Sequence, residues 1–152
     1  GIFGGILCGW ASDRFFQSRR APMAAVLYGT MAAFTLVMIV GISGGPWLPL
    51  SAVVMSMAVI GVHEIMSGTA TVDFGGTKNG GTVVGIVDGF VYLGAAVQSV
   101  SIGALAPVDE AASNPDNWIL WPIFLLPWAL VGCWFSAKIW NAAPKGAKAE
   151  SE

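Results

Sequence analysis

Long apolar runs alternate with short polar or glycine-rich segments along the whole chain. Four full-length runs and one half-length run cover residues 21–43, 49–72, 82–106, 118–140 and, as the half-length run, 1–11. A helix that crosses the roughly 30 Å hydrocarbon core of a bilayer needs about 20 mostly apolar residues. The pattern therefore predicts four membrane spans and the end of a fifth span that begins before the first residue. The predicted connections are residues 12–20, 44–46, 73–81 and 107–117.

Composition supports an all-α membrane bundle. Hydrophobic residues make up 55% of the chain and charged residues 11%, whereas about 25% of the residues of a typical soluble domain are charged. Buried helices of a large soluble protein are the alternative, and the length of the runs disfavours it. The 7 basic and 9 acidic residues nearly cancel, so the net charge gives no reason to expect a nucleic-acid partner. The lipid bilayer is the expected partner.

The basic residues all fall on one side of the predicted spans. They are Arg14, Arg19, Arg20, Lys78, Lys138, Lys145 and Lys148. Because basic loops stay on the cytoplasmic side of a membrane, this distribution places the C-terminus in the cytoplasm and predicts a multi-pass protein of the plasma (inner) membrane. The acidic residues Asp109, Glu110 and Asp116 fall on the opposite side. We expect residues 141–152 to form a disordered cytoplasmic tail.

Three ionisable residues lie within the predicted spans: His63, Glu64 and Asp88. Charged groups at membrane depth are costly, so they usually face a bundle interior or a wet cavity. Tyr92 lies one helical turn after Asp88, so the two residues can share a face. These four residues are the candidates for a substrate pathway. The alternative is a structural role, in which His63 and Glu64 satisfy a neighbouring helix and Asp88 pairs with a backbone or a cation.

A polar motif joins the first run to the second. It contains Gly9, the pair Asp13 and Arg14, and the pair Arg19 and Arg20. An acid in such a loop can cap a helix or pair with an arginine, and a breakable pair of that kind can hold one state of a gate. We expect Asp13 and Arg14 to be its members. A plain basic anchor is the alternative, but it leaves Asp13 unexplained.

This motif resembles the Gly-x-x-x-Asp-Arg/Lys loop of the major facilitator superfamily, which connects helices two and three and recurs between helices eight and nine. Residues 5–10, 73–78 and 81–96 resemble helix eight, the loop between helices ten and eleven, and helix eleven of the organophosphate:phosphate antiporter branch, which includes glycerol-3-phosphate and sugar-phosphate transporters. The resemblance covers most of residues 1–106 and implies helices eight to twelve of a twelve-helix fold. His63 and Glu64 have no counterpart in the branch.

The resemblance implies an antiporter that exchanges an organic phosphate for inorganic phosphate by alternating access. In the branch, basic residues of helices one and seven hold the phosphate, and both helices would precede the first residue. The missing N-terminal half of the same protein is therefore an expected partner, together with a small phosphorylated metabolite or another organic anion. A proton-coupled symporter and a non-transporting receptor or scaffold are the alternatives.

The sequence carries no sign of an enzyme. A single histidine and scattered acids form no catalytic cluster, and neither metal-ligand spacing nor a nucleotide-binding motif occurs. We therefore expect a protein without catalytic residues, metal or cofactor.

Overall fold

The structure is a computed structural model that describes residues 2–142, except for the side chains of residues 2, 74 and 77. Five α-helices follow one another: α1 (Ile2–Phe16), α2 (Arg20–Gly41), α3 (Trp47–His63), α4 (Ala70–Leu105) and α5 (Leu120–Lys138). A π-helical segment, Glu64–Thr69, continues α3 into α4, and two 3₁₀ turns, Asp109–Ser113 and Pro115–Ile119, precede α5. The tail prediction for residues 143–152 lies outside the described residues.

Helix α1 is longer than the apolar pattern predicts. It continues through the polar residues of the motif to Phe16, so only Gln17, Ser18 and Arg19 connect α1 with α2. Gln17 and Ser18 reverse the chain with φ values of 53° and 60°. This is the left-handed region, in which residues other than glycine are uncommon. The first five residues of the predicted connection at residues 12–20 are therefore helical, and the chain reverses after them.

The predicted connection at residues 73–81 contains a single kink at Gly76, and helical backbone extends on both sides of it. Gly76 has φ 65° and ψ 179°, a combination that is essentially restricted to glycine. The kink folds the chain back sharply. A Cβ atom placed on Gly75 would lie 3.1 Å from Val83 Cγ2, a separation that a straight helix does not allow.

Helix α2 is the centre of the bundle, with α3 on one side and α5 on the other. A buried cluster joins α1, α2 and α3 and consists of Cys8, Met23, Leu27, Ala58, Val62 and Ile65. Small residues allow this close approach, since a Cβ atom on Gly61 would lie 2.6 Å from Cys8 Sγ. In α4, by contrast, large apolar side chains such as Phe90 and Val100 are 71% and 75% exposed.

Within residues 2–142, four segments are long and apolar enough to cross a membrane: Arg20–Gly41, Trp47–Asp73, Lys78–Leu105 and Pro115–Lys138. Their outward faces carry Leu, Val, Phe and Trp side chains, which suit lipid and not water. No strand occurs in the described part of the chain. The predicted all-α membrane bundle is thus confirmed.

The basic residues within the described range gather at one end of the bundle. Arg20 of α2 contacts Asp73 beside the Gly76 kink, and the Phe16 ring lies 6.1 Å from the Trp140 ring after α5. The α1–α2 connection, the kink and the end of α5 therefore meet there. We call this the basic end; it carries Arg14, Arg19, Arg20, Lys78 and Lys138.

Candidate functional site

A buried arginine ties the basic end together. Arg20 begins α2, and its side chain is 9% exposed. Its Nη1 atom lies 2.8 Å from Asp13 Oδ1, and its Nε atom lies 2.8 Å from Asp73 Oδ2. The same Nη1 atom donates to Ser12 Oγ at 3.2 Å. One guanidinium group thus joins the end of α1 to the start of α4, 53 residues further along the chain from Arg20.

The structure corrects the predicted members of this charge pair. Asp13 pairs with Arg20 and not with its neighbour Arg14, which is exposed. Ser18 also donates to Asp13, at 3.0 Å, so the reversal at residues 17–18 is held against the same carboxylate. Arg19 donates from Nε to the Phe16 carbonyl oxygen. Gly9 lies outside this cluster, and a Cβ atom there would meet no atom of the described residues within 4 Å.

A cavity of about 210 Å³ lies between α2, the α3–π segment and α4. Its lining residues are Tyr28, Met31, Val59, Val62, His63, Met66, Ser67 and Val91. Three of them carry polar groups: a phenol, an imidazole and a hydroxyl. No lysine or arginine is among the lining residues. The predicted candidate His63 is therefore one of the residues that line this cavity.

Asp88 stands behind one wall of this cavity. Its carboxylate accepts a hydrogen bond from Ser67 Oγ, which joins α4 to the π-helical segment. Segments of π-helix are rare, and they frequently occur at functional sites because the extra residue redirects side chains. Here the wide turn is fastened by Thr71, whose hydroxyl donates to the Gly68 carbonyl oxygen at 2.7 Å.

The site lies well inside the membrane-spanning segments. Asp88 follows Lys78 by ten residues and Ser67 precedes Asp73 by six residues. Since the two side chains are hydrogen-bonded to each other, these separations at 1.5 Å per residue place the pair about 9 to 15 Å from the basic end.

Glu64 and Tyr92 lie apart from the cavity. Glu64 is exposed and packs against α1, where a Cβ atom on Gly5 would lie 3.0 Å from Glu64 Cγ. Tyr92 is 69% exposed, because α4 turns Val91 towards the cavity. The structure thus brings His63 close to the Ser67–Asp88 pair but separates these residues from Glu64 and Tyr92.

Two residues of the cavity, Tyr28 and Ser67, are absent from the sequence-based candidates. Ser67 follows His63 by four residues, and this helical spacing signals a shared face. Tyr28 carries a weaker signal, since it is the single tyrosine of an otherwise apolar span. Its ring lies against α5, where a methyl group on Gly132 would overlap it.

Sequence comparison shows what kind of protein contains these helices. A glycerol-3-phosphate transporter of Bacillus subtilis is 31% identical over 145 residues, which cover 95% of this chain and 31% of that protein. The chain is similar to an organophosphate transporter along nearly its whole length. Two probable hexose phosphate transport proteins, of Chlamydia trachomatis and Chlamydia muridarum, are 26% and 28% identical over 99% of the chain and 32% of their own length. No protein-family profile and no solved structure matches the chain.

The chain spans about a third of the length of these relatives. It is an integral membrane protein, and its relatives are transporters of small phosphorylated molecules. Within the described residues, no group of three or more His, Cys, Asp or Glu side chains is arranged to hold a metal ion.

Proposed function

We propose that this chain forms part of a secondary transporter that exchanges an organic phosphate, glycerol 3-phosphate or a sugar phosphate, for inorganic phosphate by alternating access. The observation that carries the proposal is the similarity to a glycerol-3-phosphate transporter along 95% of the chain. In transporters of this superfamily, two six-helix halves rock about a site near the middle of the membrane. We assign α1 to α5 to helices eight to twelve, in the second half.

The position of the basic side chains supports a shared binding site. A phosphate group needs cationic partners, and the basic residues of the described range lie at the basic end, away from the cavity. We infer that the phosphate is held by residues of the N-terminal part of the transporter. The present helices then supply the opposite wall of the pathway, for which His63 and Asp88 are the candidates within this chain.

The cluster around Arg20 supports a gate at the same end. We assign the basic end to the cytoplasmic face of the plasma (inner) membrane, with the C-terminus in the cytoplasm. Arg20 ties the end of α1 to the start of α4 through Asp13 and Asp73, at 2.8 Å each. A transporter that opens towards the cytoplasm must allow helices at that end to move, and an ion pair can stabilise one arrangement of them.

Exchange of labelled inorganic phosphate across proteoliposomes tests the proposed function. The complete protein that contains this chain is reconstituted, and glycerol 3-phosphate and glucose 6-phosphate are added as competitors at two internal pH values. We expect exchange without a pH gradient and competition by both organic phosphates. Absence of phosphate exchange would contradict the antiporter. Uptake of an organic anion that requires a pH gradient would instead indicate a proton-coupled symporter.

Glu64 provides a second test of that alternative. It is the exposed acid at the start of the π-helical segment. If it carried a coupled proton, replacing it with glutamine would abolish pH-driven uptake. If the transporter exchanges phosphates without a coupled proton, we expect the Glu64→Gln variant to retain phosphate exchange at either pH.

A further inference from the structure

Three polar side chains with spare hydrogen-bonding capacity converge on the cavity between α2, α3 and α4. Tyr28 and His63 line it and make no side-chain hydrogen bond to other residues of the described range. Ser67 lines it as well and donates its proton to Asp88, so its oxygen can still accept a hydrogen bond. We propose that this cavity receives the hydroxylated, uncharged part of the phosphorylated substrate; the proposal rests on the proposed function.

The chemistry of the lining selects for hydroxyl groups and against a phosphate. A hydroxyl both donates and accepts, and it can pair with a phenol, an imidazole, a serine or a carboxylate. A phosphate placed among the same groups would have no cationic partner, since no lysine or arginine of the described residues lines the cavity, and the Asp88 carboxylate bonded to Ser67 would disfavour a second negative charge nearby. The remaining walls are apolar side chains such as Met31, Val59 and Val91, which suit the C–H faces of a polyol or sugar.

The size and position of the cavity agree with this assignment. About 210 Å³ is less than the roughly 300–1,000 Å³ of sites for drug-sized ligands, so the cavity suits a fragment of a few carbon and oxygen atoms. The cavity lies near Ser67 and Asp88, about 9 to 15 Å from the basic end at 1.5 Å per residue, and therefore towards the middle of the membrane. A substrate whose phosphate is bound by the other half of the transporter can extend its hydroxylated end into this cavity.

The hydrogen bond between Ser67 and Asp88 determines which hydrogen-bonding groups of the two residues remain available to a substrate. Because Ser67 donates to Asp88, its lone pairs are available to the substrate, and the carboxylate keeps further acceptor capacity. Within the described residues, Ser67 is the residue that forms a hydrogen bond with the Asp88 side chain. Asp88→Asn keeps the shape of this wall but removes its charge, and Ser67→Ala removes the hydroxyl without a large change in volume.

The test compares two ligands that differ in their hydroxyl groups. Inhibition of labelled phosphate exchange gives the apparent affinities for glycerol 3-phosphate and for ethyl phosphate, which lacks the hydroxyls, in the complete protein reconstituted in liposomes. For Asp88→Asn and Ser67→Ala, we expect the affinity for glycerol 3-phosphate to fall by about tenfold or more relative to ethyl phosphate, the effect of losing one hydrogen bond to a charged or buried group. His63→Gln is expected to shift the same ratio.

Matched serine variants serve as controls. Ser56 and Ser99 lie on α3 and α4, are exposed, and bond to the carbonyl oxygens of their own helices. Ser56→Ala and Ser99→Ala should leave the ratio as it is in the wild type.

The possible outcomes separate the cavity from the proposed function. Equal losses of affinity for both ligands in the Asp88, Ser67 and His63 variants would mean that these residues only support the fold, and would overturn the assignment of the cavity. Wild-type affinities would overturn it too. If the wild-type protein exchanges no phosphate at all, the proposed function fails first, and the cavity assignment fails with it.

Discussion

Replacing Arg20 with glutamine is expected to destabilise the bundle more than any change at the neighbouring exposed arginine. The Arg20 side chain is 9% exposed, whereas its partners Asp73 and Asp13 are 23% and 57% exposed. Removing one partner of a buried ion pair costs about 3 to 5 kcal/mol because the other charge is left without compensation. An exposed pair contributes only about 0 to 1 kcal/mol. Since this cluster is partly exposed, we expect about 3 kcal/mol for Arg20→Gln, at the lower end of the buried range.

The two carboxylates should differ in the same experiment. Asp73→Asn is expected to cost about 2 kcal/mol, between the exposed and buried limits, and Asp13→Asn about 1 kcal/mol or less. The assay is thermal unfolding of the complete protein in detergent, with Arg14→Gln as the exposed control. The predicted order of melting temperatures, from lowest to highest, is Arg20→Gln, Asp73→Asn, Asp13→Asn and Arg14→Gln. An Arg14→Gln variant as unstable as Arg20→Gln would refute the reasoning.

Two glycine positions give further predictions with matched controls. Gly76→Ala should destabilise the protein by about 1 to 3 kcal/mol because φ 65° and ψ 179° strain any residue with a Cβ atom, whereas Gly81→Ala should be neutral or stabilising in the same unfolding assay. Gly61→Ala should cost about 1 to 3 kcal/mol, since its new Cβ would lie 2.6 Å from Cys8 Sγ. Gly9→Ala, at which a Cβ meets no described atom within 4 Å, should cost nothing. If the two variants of either pair changed the stability equally, the predicted role of that glycine would be wrong.

The helical content of the chain could be predicted from its apolar runs, because a span must satisfy its own backbone hydrogen bonds in lipid. The connections between the helices were predicted less accurately. Glycines at residues 75, 76, 80 and 81 suggest an open loop, yet only Gly76 departs from helical geometry. Likewise, α1 continues through Asp13 and Arg14 to Phe16, because exposed polar side chains at a helix end project into water without ending the helix.

The candidate site was predicted in part. The depth of His63 and Asp88 follows from span length alone, and the structure places His63 on the cavity and Asp88 against Ser67. The pairing of Arg20 with Asp73 spans 53 residues, so no local pattern contains it. His63 and Glu64 are separated because the first side chain faces α4 and the second faces α1. The packing of the helices decides this, so the local sequence does not predict it.

If this chain belongs, as proposed, to a protein that exchanges organic phosphates for inorganic phosphate, uptake must depend on the phosphate inside the vesicles, and trans-stimulation measures that dependence. Uptake of labelled glycerol 3-phosphate is measured in proteoliposomes that contain the complete protein, loaded either with inorganic phosphate or with sulfate. An obligatory exchanger predicts rapid uptake into the phosphate-loaded vesicles and little uptake into the sulfate-loaded ones. Equal uptake into both sets of vesicles, or uptake into neither set, would contradict the claim.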